Sequence, residues 1–331
     1  MVEKMNNHSN NDNNNQEVTT FNSREINPSS IFHSIVALTI WMGGIHLNFL
    51  LFFIPLLFLP FSKFLLFFGL QLLFMFIPIN ENSNYGRRLS RYLSKHIASH
   101  FPIFLHVEDI NAFHSDRAYV FGYEPHSVIP LGLGILSDCM GLMPLPKIKV
   151  LASSAVFITP FLRHVWTWCG VTPATKENFT SLLEAGYSCV LVPGGVQETC
   201  YMKHGTEIAF LKSRRGFIRI AMETGKPLVP VVCFGQSLVF NWWRPGGNLF
   251  MKLARTIKFA PIFFWGILGS PFPYQHPVHV VVGRPIELKK NPQPTMEEVV
   301  EIQNQFIAAL KDLFERHKAR VGYPDLKLEI I

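Results

Sequence analysis

The sequence predicts an α/β protein with a mostly parallel central sheet, preceded by an apolar helical hairpin. Charged residues make up 16% of the 331 residues and hydrophobic ones 48%, whereas roughly 25% are charged in an ordinary soluble domain. Between residues 31 and 79, Lys63 is the only formally charged residue. Beyond residue 100, short apolar runs alternate with helical patterns, which is typical of parallel strands covered on both faces.

Composition divides the chain into three segments. Residues 1–30 contain the Asn-rich run NNHSNNDNNNQ and have little to bury, so they are predicted to be a disordered polar tail. Residues 31–80 are predicted to form the hairpin, because their apolar run is too long for a signal peptide. Residues 81–331 are predicted to form the α/β domain.

The apolar run breaks at LPFSK (59–63), which offers a turn. As a helix, residues 35–59 would extend about 37 Å and could cross a hydrocarbon core of about 30 Å. Residues 64–79 would extend only about 24 Å. Two interpretations stay open, a hairpin that spans a locally thinned bilayer and a re-entrant hairpin embedded from one side.

Charge and cysteine content indicate the surroundings. The segment YGRRLSRYLSKH (85–96) follows the hairpin, and basic residues stay on the cytosolic side, so both termini are expected in the cytosol. The five cysteines are an odd number without a C-x-x-C pair and are expected to be reduced. A net charge of +7 suits an anionic membrane surface or a phosphorylated small molecule. No nucleic-acid motif accompanies it, so nucleic acid is not expected as a partner.

Strands and helices follow from local patterns. The strands are predicted at residues 118–123, 188–193, 227–234 and 278–283. Thr175 is the predicted N-cap of a helix over 175–186, a second helix covers 214–225, and Thr295 with Glu298 predicts a capping box. Two apolar stretches, 128–146 and 259–274, are interrupted by Gly and Pro. They belong either to the core or to a membrane-facing rim or substrate tunnel.

Several kinds of site are excluded by missing motifs. The sequence has no phosphate-binding P-loop, no complete dinucleotide fingerprint and no G-x-S-x-G elbow. His96 and His100 share a helix face, but no third ligand accompanies them, so no metal site is predicted.

Two loops carry the candidate chemistry, and each directly follows a predicted strand. EPHS (124–127) places His126 just past the carboxyl end of its strand, where open α/β sheets bind ligands. VPGGVQET (192–199) combines a tight Gly194-Gly195 turn with the carboxylate of Glu198. Together they predict a base, an orienting group and oxyanion donors. Glu198 is the expected partner of His126, because Glu124 and His126 straddle a proline.

These motifs, in this order behind an apolar hairpin, resemble the plant branch of the type 2 diacylglycerol acyltransferase family. The resemblance covers nearly everything from about residue 31 onward. The stretches that carry it are RAYVFGYEPHSVIPLG, IKVLASSAVFITPFLRHVWTWCG, NFTSLLEAGYSCVLVPGGVQET, RRGFIRIAMETGKPLVPVVCFG, FAPIFFWG, HVVVGRPIEL and ALKDLFERHKARVGYPD. More distantly, their order is similar to that of the glycerolipid acyltransferase superfamily, which implies a fold of that kind.

The resemblance implies acyl transfer from acyl-CoA, as co-substrate and without a cofactor, to the free hydroxyl of diacylglycerol, giving triacylglycerol. His126 matches the histidine of the family's H-P-H-G block and would be the general base, with Glu198 as its orienter. The predicted substrate-binding residues are Glu124, Pro125, Ser127, Gly194, Gly195, Arg214, Arg215 and Arg219, the three arginines being candidates for the CoA phosphates.

Three departures from the family pattern bear on the implied activity and site residues. The H-P-H-G block reads E-P-H-S here, as is common in the plant branch, and the acid of H-x4-D is replaced by Leu131. The superfamily's charged E-G-T-R loop is replaced by GGVQET, which suits an uncharged acceptor.

The resemblance also implies a location and partners. The expected location is the endoplasmic reticulum membrane, multi-pass, and the lipid droplet surface. The expected partners are membrane lipids, with homo-oligomers and other lipid-synthesis enzymes left open. The run LKLEII (326–331) resembles a short endoplasmic-reticulum retrieval signal, or is simply a terminal strand. Monoacylglycerol or a long-chain alcohol is the alternative acceptor, and a non-catalytic lipid-droplet scaffold is the alternative of another class.

Overall fold

The computed structural model describes residues 18–257, 260 and 262–331. The Asn-rich run at residues 6–16 lies outside them, so its predicted disorder stays a prediction. The strands of the described part are β1 Thr19–Asn22, β2 Ile103–Val107, β3 Val120–Glu124, β4 Ile148–Ala152, β5 Val171–Pro173, β6 Ser188–Leu191, β7 Thr206–Ala209, β8 Leu228–Phe234, β9 Asn241–Trp243, β10 Phe263–Trp265, β11 Val278–Val282 and β12 Lys327–Ile330. The α-helices are α1 Ser23–Ile26, α2 Ile31–Phe58, α3 Phe61–Phe76, α4 Asn84–His100, α5 Leu133–Leu136, α6 Leu162–Trp168, α7 Lys176–Glu184, α8 Val196–Thr199, α9 Gly216–Thr224, α10 Asn248–Ile257 and α11 Met296–Lys318.

The central sheet has the order β1-β2-β11-β8-β3-β6-β4-β5. The four neighbouring pairs from β8 to β5 are parallel, and so is the pair of β2 and β11. The pairs of β1 with β2 and of β11 with β8 are antiparallel. This confirms the predicted mostly parallel sheet and the four strands predicted for it. Because β3 lies between β8 and β6, the two candidate loops leave neighbouring strands at the same edge.

One long excursion explains the antiparallel pair of β8 and β11. Between these strands the chain forms β9, α10 and β10, and then returns to the sheet edge from which it left. The two ends of the excursion lie close together. A Cβ added at Gly235 would lie only 2.2 Å from the carbonyl oxygen of Pro277. A chain that re-enters the sheet at the edge it left must run in the opposite direction.

Helices cover both faces of the sheet, and their predicted ends are confirmed. The Thr175 side chain accepts from Asn178 N, and Gly225 ends α9 in the left-handed conformation. Thr295 and Glu298 form the capping box. The buried face of α11 packs onto the sheet so closely that a Cβ at Gly122 would clash with the ring of Phe306.

The two predicted apolar helices are present as α2 and α3, and we call them the apolar pair. Gln71 Nε2 donates to Leu51 O at 2.8 Å, and the ring of Phe52 contacts those of Phe64 and Phe68. Within the described residues, α2 is the one helix long and apolar enough to cross a membrane, and α3, with 16 residues, is shorter.

The first third of α2 belongs to the body of the protein. Ala37, Leu38, Trp41 and Met42 are buried, and the Trp41 ring contacts that of Trp166. From residue 47 to the end of α2, by contrast, most of the large apolar side chains are exposed. The predicted hairpin is therefore partly a core helix.

The predicted disorder of residues 1–30 is wrong for their last part. Residues 19–22 form β1, which extends the sheet beside β2. The Ser23 hydroxyl donates to Ala98 O at 2.7 Å and accepts from Ile103 N at 2.9 Å, and Arg24 Nε donates to Ser99 O. These bonds satisfy main-chain groups at the end of α4 and at the start of β2, and they account for the order of this short polar segment.

The two uncertain apolar stretches differ. In residues 128–146 most large apolar side chains are buried, so this stretch is core. In residues 262–274, Phe263, Ile267 and Leu268 are exposed. The LKLEII run forms β12, parallel to β7, and the main-chain N–H groups of Leu211 and Lys212 both donate to Ile331 O at 2.9 Å.

Candidate active site

The EPHS turn is held by a buried glutamine. Gln236 Nε2 donates to Pro125 O at 2.6 Å, while its Oε1 accepts from the Tyr123 hydroxyl at 2.7 Å and from Gly132 N at 3.4 Å. The amide therefore makes three hydrogen bonds to fixed groups, which rigidifies a buried polar network. Gln236 therefore fixes the turn that carries His126.

The imidazole of His126 is half-buried and is bonded through Nδ1. This nitrogen lies 3.0 Å from Ser127 O and 3.0 Å from Thr199 Oγ1, and the Thr199 hydroxyl is itself 3.2 Å from Ser127 O. A carbonyl oxygen can only accept, so the network is satisfied when Nδ1 carries the proton and Thr199 donates to Ser127 O. That tautomer leaves the lone pair on Nε2.

Burial lowers the pKa of His126 below its usual 6.5, and the bond to Ser127 O opposes this. The imidazole is consequently mostly neutral near pH 7. A neutral imidazole with a free Nε2 can accept a proton, which is the property required of a general base.

Glu198 meets His126 through the main chain. Its Oε1 accepts from the backbone N–H of His126, and its Oε2 accepts from Phe210 N at 3.2 Å. The sequence led us to expect a contact between the side chains of Glu198 and His126. In the structure the Glu198 carboxyl group instead bonds to the backbone of the turn, and Thr199 contacts the imidazole. The role of Glu198 as the orienter of His126 stays a prediction.

The glycine turn makes room for this carboxyl group. A Cβ at Gly194 would lie 2.1 Å from Glu198 Oε2, and Gly195 has a φ of +53°. The sequence predicted exposed oxyanion donors here, but the backbone of Gly194 faces the Glu124 carboxyl. Gly194 therefore lies against the two acidic groups, and the role of the glycine turn in binding an oxyanion stays a prediction.

Glu124 and Glu198 form a buried carboxyl pair, and each is 1% exposed. Two ionised carboxylates can only accept hydrogen bonds, so they cannot bond to each other. If both were ionised, neither Glu124 oxygen would have a hydrogen-bond partner among the described residues. A proton on Glu124 turns the contact with Glu198 into an O–H···O bond. Burial, and then Glu198, raise the pKa of Glu124 well above its usual 4.5, so Glu124 is the neutral acid of the pair. Burial also raises the pKa of Glu198, which its hydrogen bonds oppose.

The three predicted CoA-binding arginines have contacts within the protein. Arg214 Nη2 donates to Gly194 O at 3.3 Å, and its charge lowers the pKa of both carboxyl groups. Arg215 Nε donates to the Gln303 side chain, and Arg219 Nη1 donates to Pro294 O. Arg214 alone of the three adjoins the carboxyl pair.

A cavity of about 80 Å³ adjoins the turn, and its lining includes Ser127, Glu198, His204, Glu207 and Trp242. The Ser127 hydroxyl has no hydrogen-bond partner among the described residues. Burial, followed by Glu198, raises the pKa of Glu207 to about 7. The cavity can receive a small polar group beside the carboxyl pair.

Sequence reasoning missed Thr199 and Gln236. Thr199 directly follows Glu198, and Gln236 lies just past the carboxyl end of β8, so the strand-end rule that singled out His126 also covers Gln236. Nothing in the local sequence indicates that its amide would reach across to Pro125. No group of three or more potential metal ligands occurs in the described part of the chain.

A family described as diacylglycerol acyltransferase matches residues 55–331. The chain belongs to the diacylglycerol acyltransferase family. It is an O-acyltransferase, and the resemblance seen in its sequence motifs is confirmed.

Individual members of this family show how far the similarity extends. Diacylglycerol O-acyltransferase 2 of Dictyostelium discoideum is 32% identical over 75% of this chain and 81% of its own length. Diacylglycerol O-acyltransferase 1 of Schizosaccharomyces pombe is 33% identical over 66% of this chain and 68% of its own length. Human 2-acylglycerol O-acyltransferase 1 is 30% identical over 70% of this chain and 74% of its own length.

Among solved structures, the 1-acyl-sn-glycerophosphate acyltransferase PlsC of Thermotoga maritima matches with a TM-score of 0.42 and 14% identity. The match covers 89% of this chain and 97% of that one.

Proposed function

We propose that the protein transfers a fatty acyl group from acyl-CoA to the free hydroxyl of diacylglycerol, forming triacylglycerol for storage. The observation that carries the proposal is the imidazole of His126, which is bonded at Nδ1 to Ser127 O and Thr199 and has no hydrogen-bond partner at Nε2 among the described residues. The relatives named as diacylglycerol O-acyltransferases support this acceptor.

In this mechanism His126 is the general base. Nε2 accepts the proton of the acceptor hydroxyl as its oxygen attacks the thioester carbon. The new C–O bond forms, the C–S bond breaks, and the sulfur leaves with the electron pair as the CoA thiolate. The proton on Nε2 then passes to that thiolate. A thiol pKa near 8.5 makes the thiolate a good leaving group, so no strong acid and no cofactor is required.

The carboxyl pair holds the base in place. Glu198 fixes the main chain of His126, and neutral Glu124 donates a hydrogen bond to Glu198. Arg214 offsets the remaining negative charge, since an isolated buried carboxylate is costly. Of the three arginines proposed for CoA, Arg215 is exposed and remains available for the phosphates.

We also propose that the apolar pair anchors the protein in the membrane of the endoplasmic reticulum and at lipid droplets. From residue 47 to 58, α2 extends about 18 Å beyond the body, and α3 is about 24 Å long. Both lengths fall short of a hydrocarbon core of about 30 Å. The geometry therefore favours a re-entrant hairpin with both ends of the chain in the cytosol.

A second acceptor, monoacylglycerol, is favoured by the similarity to human 2-acylglycerol O-acyltransferase 1. The lining of the cavity beside Glu198 includes the polar side chains of Ser127, Glu198 and Glu207, which could bond an additional hydroxyl of the acceptor. The reaction at His126 would be the same.

Expression in a cell without neutral-lipid synthesis of its own tests the proposal. Membranes are supplied with labelled acyl-CoA and equal amounts of diacylglycerol, monoacylglycerol and a long-chain alcohol. Labelled triacylglycerol as the main product supports the proposal. A different main product would reassign the acceptor, and no labelled ester above the level of an empty-vector membrane would refute the function.

A further inference from the structure

A group of exposed apolar side chains lies in two segments that contact the base of the apolar pair, residues 158–161 and residues 243–268. We call it the collar, and its members are Ile158, Phe161, Trp243, Leu249, Phe263 and Leu268. Each exposes between 49% and 100% of its surface, and Leu268 is fully exposed. A contiguous exposed patch of large apolar side chains marks an interaction surface in a soluble domain.

The collar adjoins the points at which the apolar pair leaves the body. On one side, the rings of Phe161 and Phe74 of α3 lie 5.1 Å apart, and Arg163 donates to the carbonyl oxygens of Phe74 and Met75. On the other side, the ring of Phe264 lies 6.1 Å from that of His46 of α2, and Phe263 and Trp243 lie together on the opposite, outward face of β9 and β10. Insertion of the pair up to these residues would bring the collar to the bilayer surface.

The chemistry of α10 fits a lipid surface. Leu249 and Leu253 are exposed on the outer face of α10, whereas Phe250 and Ala254 on its inner face are buried against the body. Lys252 is exposed between the two leucines. Outward leucines with a lysine, beside exposed tryptophans, are typical of elements that lie at the membrane interface.

We propose that the collar is a second lipid-contact surface, which seats the body of the protein on the headgroup boundary of an anionic phospholipid bilayer around the inserted pair. The proposal rests on the membrane location of the apolar pair given above. It explains why β9, α10 and β10 interrupt the sheet with side chains that no other part of the described chain covers.

The collar also lies close to the candidate active site. The inner face of α10, formed by Phe250 and Ala254, clusters with Cys200 and Val196 of the α8 segment, which also carries Glu198 and Thr199. One helix therefore separates the proposed lipid surface from the carboxyl pair.

Depth-dependent quenching tests the proposal in the full chain. Cys139 and Cys169, the two partly exposed cysteines, are changed to Ser, and a single Cys carrying an environment-sensitive dye is placed by Leu268→Cys or Leu249→Cys. Leu57→Cys, at the tip of the apolar pair, reports insertion of the pair. Lys311→Cys, on the exposed face of α11, is the matched aqueous control. Unchanged thermal unfolding of each labelled variant shows that it is folded.

The proteins are reconstituted in phosphatidylcholine–phosphatidylserine vesicles with or without bromine-labelled acyl chains. We expect bromolipids to reduce the dye emission at positions 268 and 249 at least twofold, and at 311 not at all. Quenching at 57 with none at 268 and 249 would overturn the collar proposal alone. No quenching at any position would refute the membrane location of the pair and the collar with it. A blue shift at 268 without bromolipid quenching, together with a doubled mass, would assign the collar to a second copy of the chain and overturn the proposal.

Discussion

At the scale of single residues, the contact between Glu124 and Glu198 sets the charge of the site. Two carboxylates in a buried contact cannot both be ionised without a large electrostatic cost, so they share a proton. The neutral partner is Glu124, because burial and Glu198 both raise its pKa. Glu198 keeps three hydrogen bonds, from the backbone of His126 and Phe210 and from Glu124.

Substitution of Glu124 tests this assignment. Glu124→Gln keeps a neutral donor of the same shape, so we expect acyl transfer within about threefold of the wild-type rate. Glu124→Ala leaves Glu198 without that bond, a loss of about 1.5–3 kcal/mol that corresponds to roughly 10- to 100-fold in activity. The two rates are measured with labelled acyl-CoA in membranes of equal protein content. An equal loss in both variants would show that Glu124 acts as an anion.

The pH dependence of the reaction tests the state of His126. The base is active when neutral, and its pKa is lowered from 6.5 by burial. Activity should therefore stay constant as the pH falls from 7.5 to 6.5 and decline only as the pH passes through the lowered pKa. The pH profile of kcat at saturating acyl-CoA measures this. A midpoint above 6.5 would contradict the burial of the imidazole as the controlling effect.

At this scale the sequence located His126, Glu198 and the glycine turn but not their contacts. Strand-end position and residue chemistry identify which loops meet. They do not reveal whether Glu198 binds an imidazole or a backbone N–H, because that difference depends on about one ångström of loop geometry. Thr199 and Gln236 were missed for the same reason.

At the scale of elements, β12 supports the site from a distance. It pairs with β7, and Ile331 O accepts from the N–H groups of Leu211 and Lys212. These two residues directly follow Phe210, whose N–H donates to Glu198. The LKLEII run is therefore part of the structure that holds the carboxyl group. A strand in this position also explains why the run alternates between apolar and charged residues.

Deletion of residues 326–331 should reduce the specific activity at least tenfold and lower the unfolding temperature, because β7 loses its partner strand. Glu329→Gln is the control, since it removes the acid of the retrieval-like pattern but keeps β12, and its ion pair with Lys203 is exposed and contributes little. Activity and subcellular location are measured for both variants. Loss of location with full specific activity in the deletion would show that the run is a signal rather than a structural strand.

Element prediction succeeded where a local signal exists. Apolar runs gave the parallel strands, and the Thr175, Gly225 and Thr295 signals gave helix ends. Element prediction failed for β1, because its four residues, TTFN, are polar enough to resemble a disordered tail. That strand forms because a free edge of β2 and the hydroxyl of Ser23 offer it partners, which are tertiary features.

At the scale of the whole molecule, the protein combines an α/β body with an apolar pair that starts inside it. Composition predicted both parts, but not that residues 34–42 of α2 pack into the core. This packing shortens the free length of the pair and places its base beside the collar. The candidate site lies at the sheet edge from which the excursion with β9, α10 and β10 departs, so the proposed lipid-contact surface and the candidate site lie on one side of the body.

The rate of acyl transfer by the His126→Gln variant tests the central claim most directly. Gln keeps a polar side chain of similar size but cannot accept a proton at the position of Nε2. We predict a fall of about 10²- to 10⁴-fold in triacylglycerol formation from labelled acyl-CoA, with unchanged unfolding temperature and full activity in the control His114→Gln, whose side chain is exposed. Wild-type activity in a folded His126→Gln protein would contradict the assignment of His126 as the base.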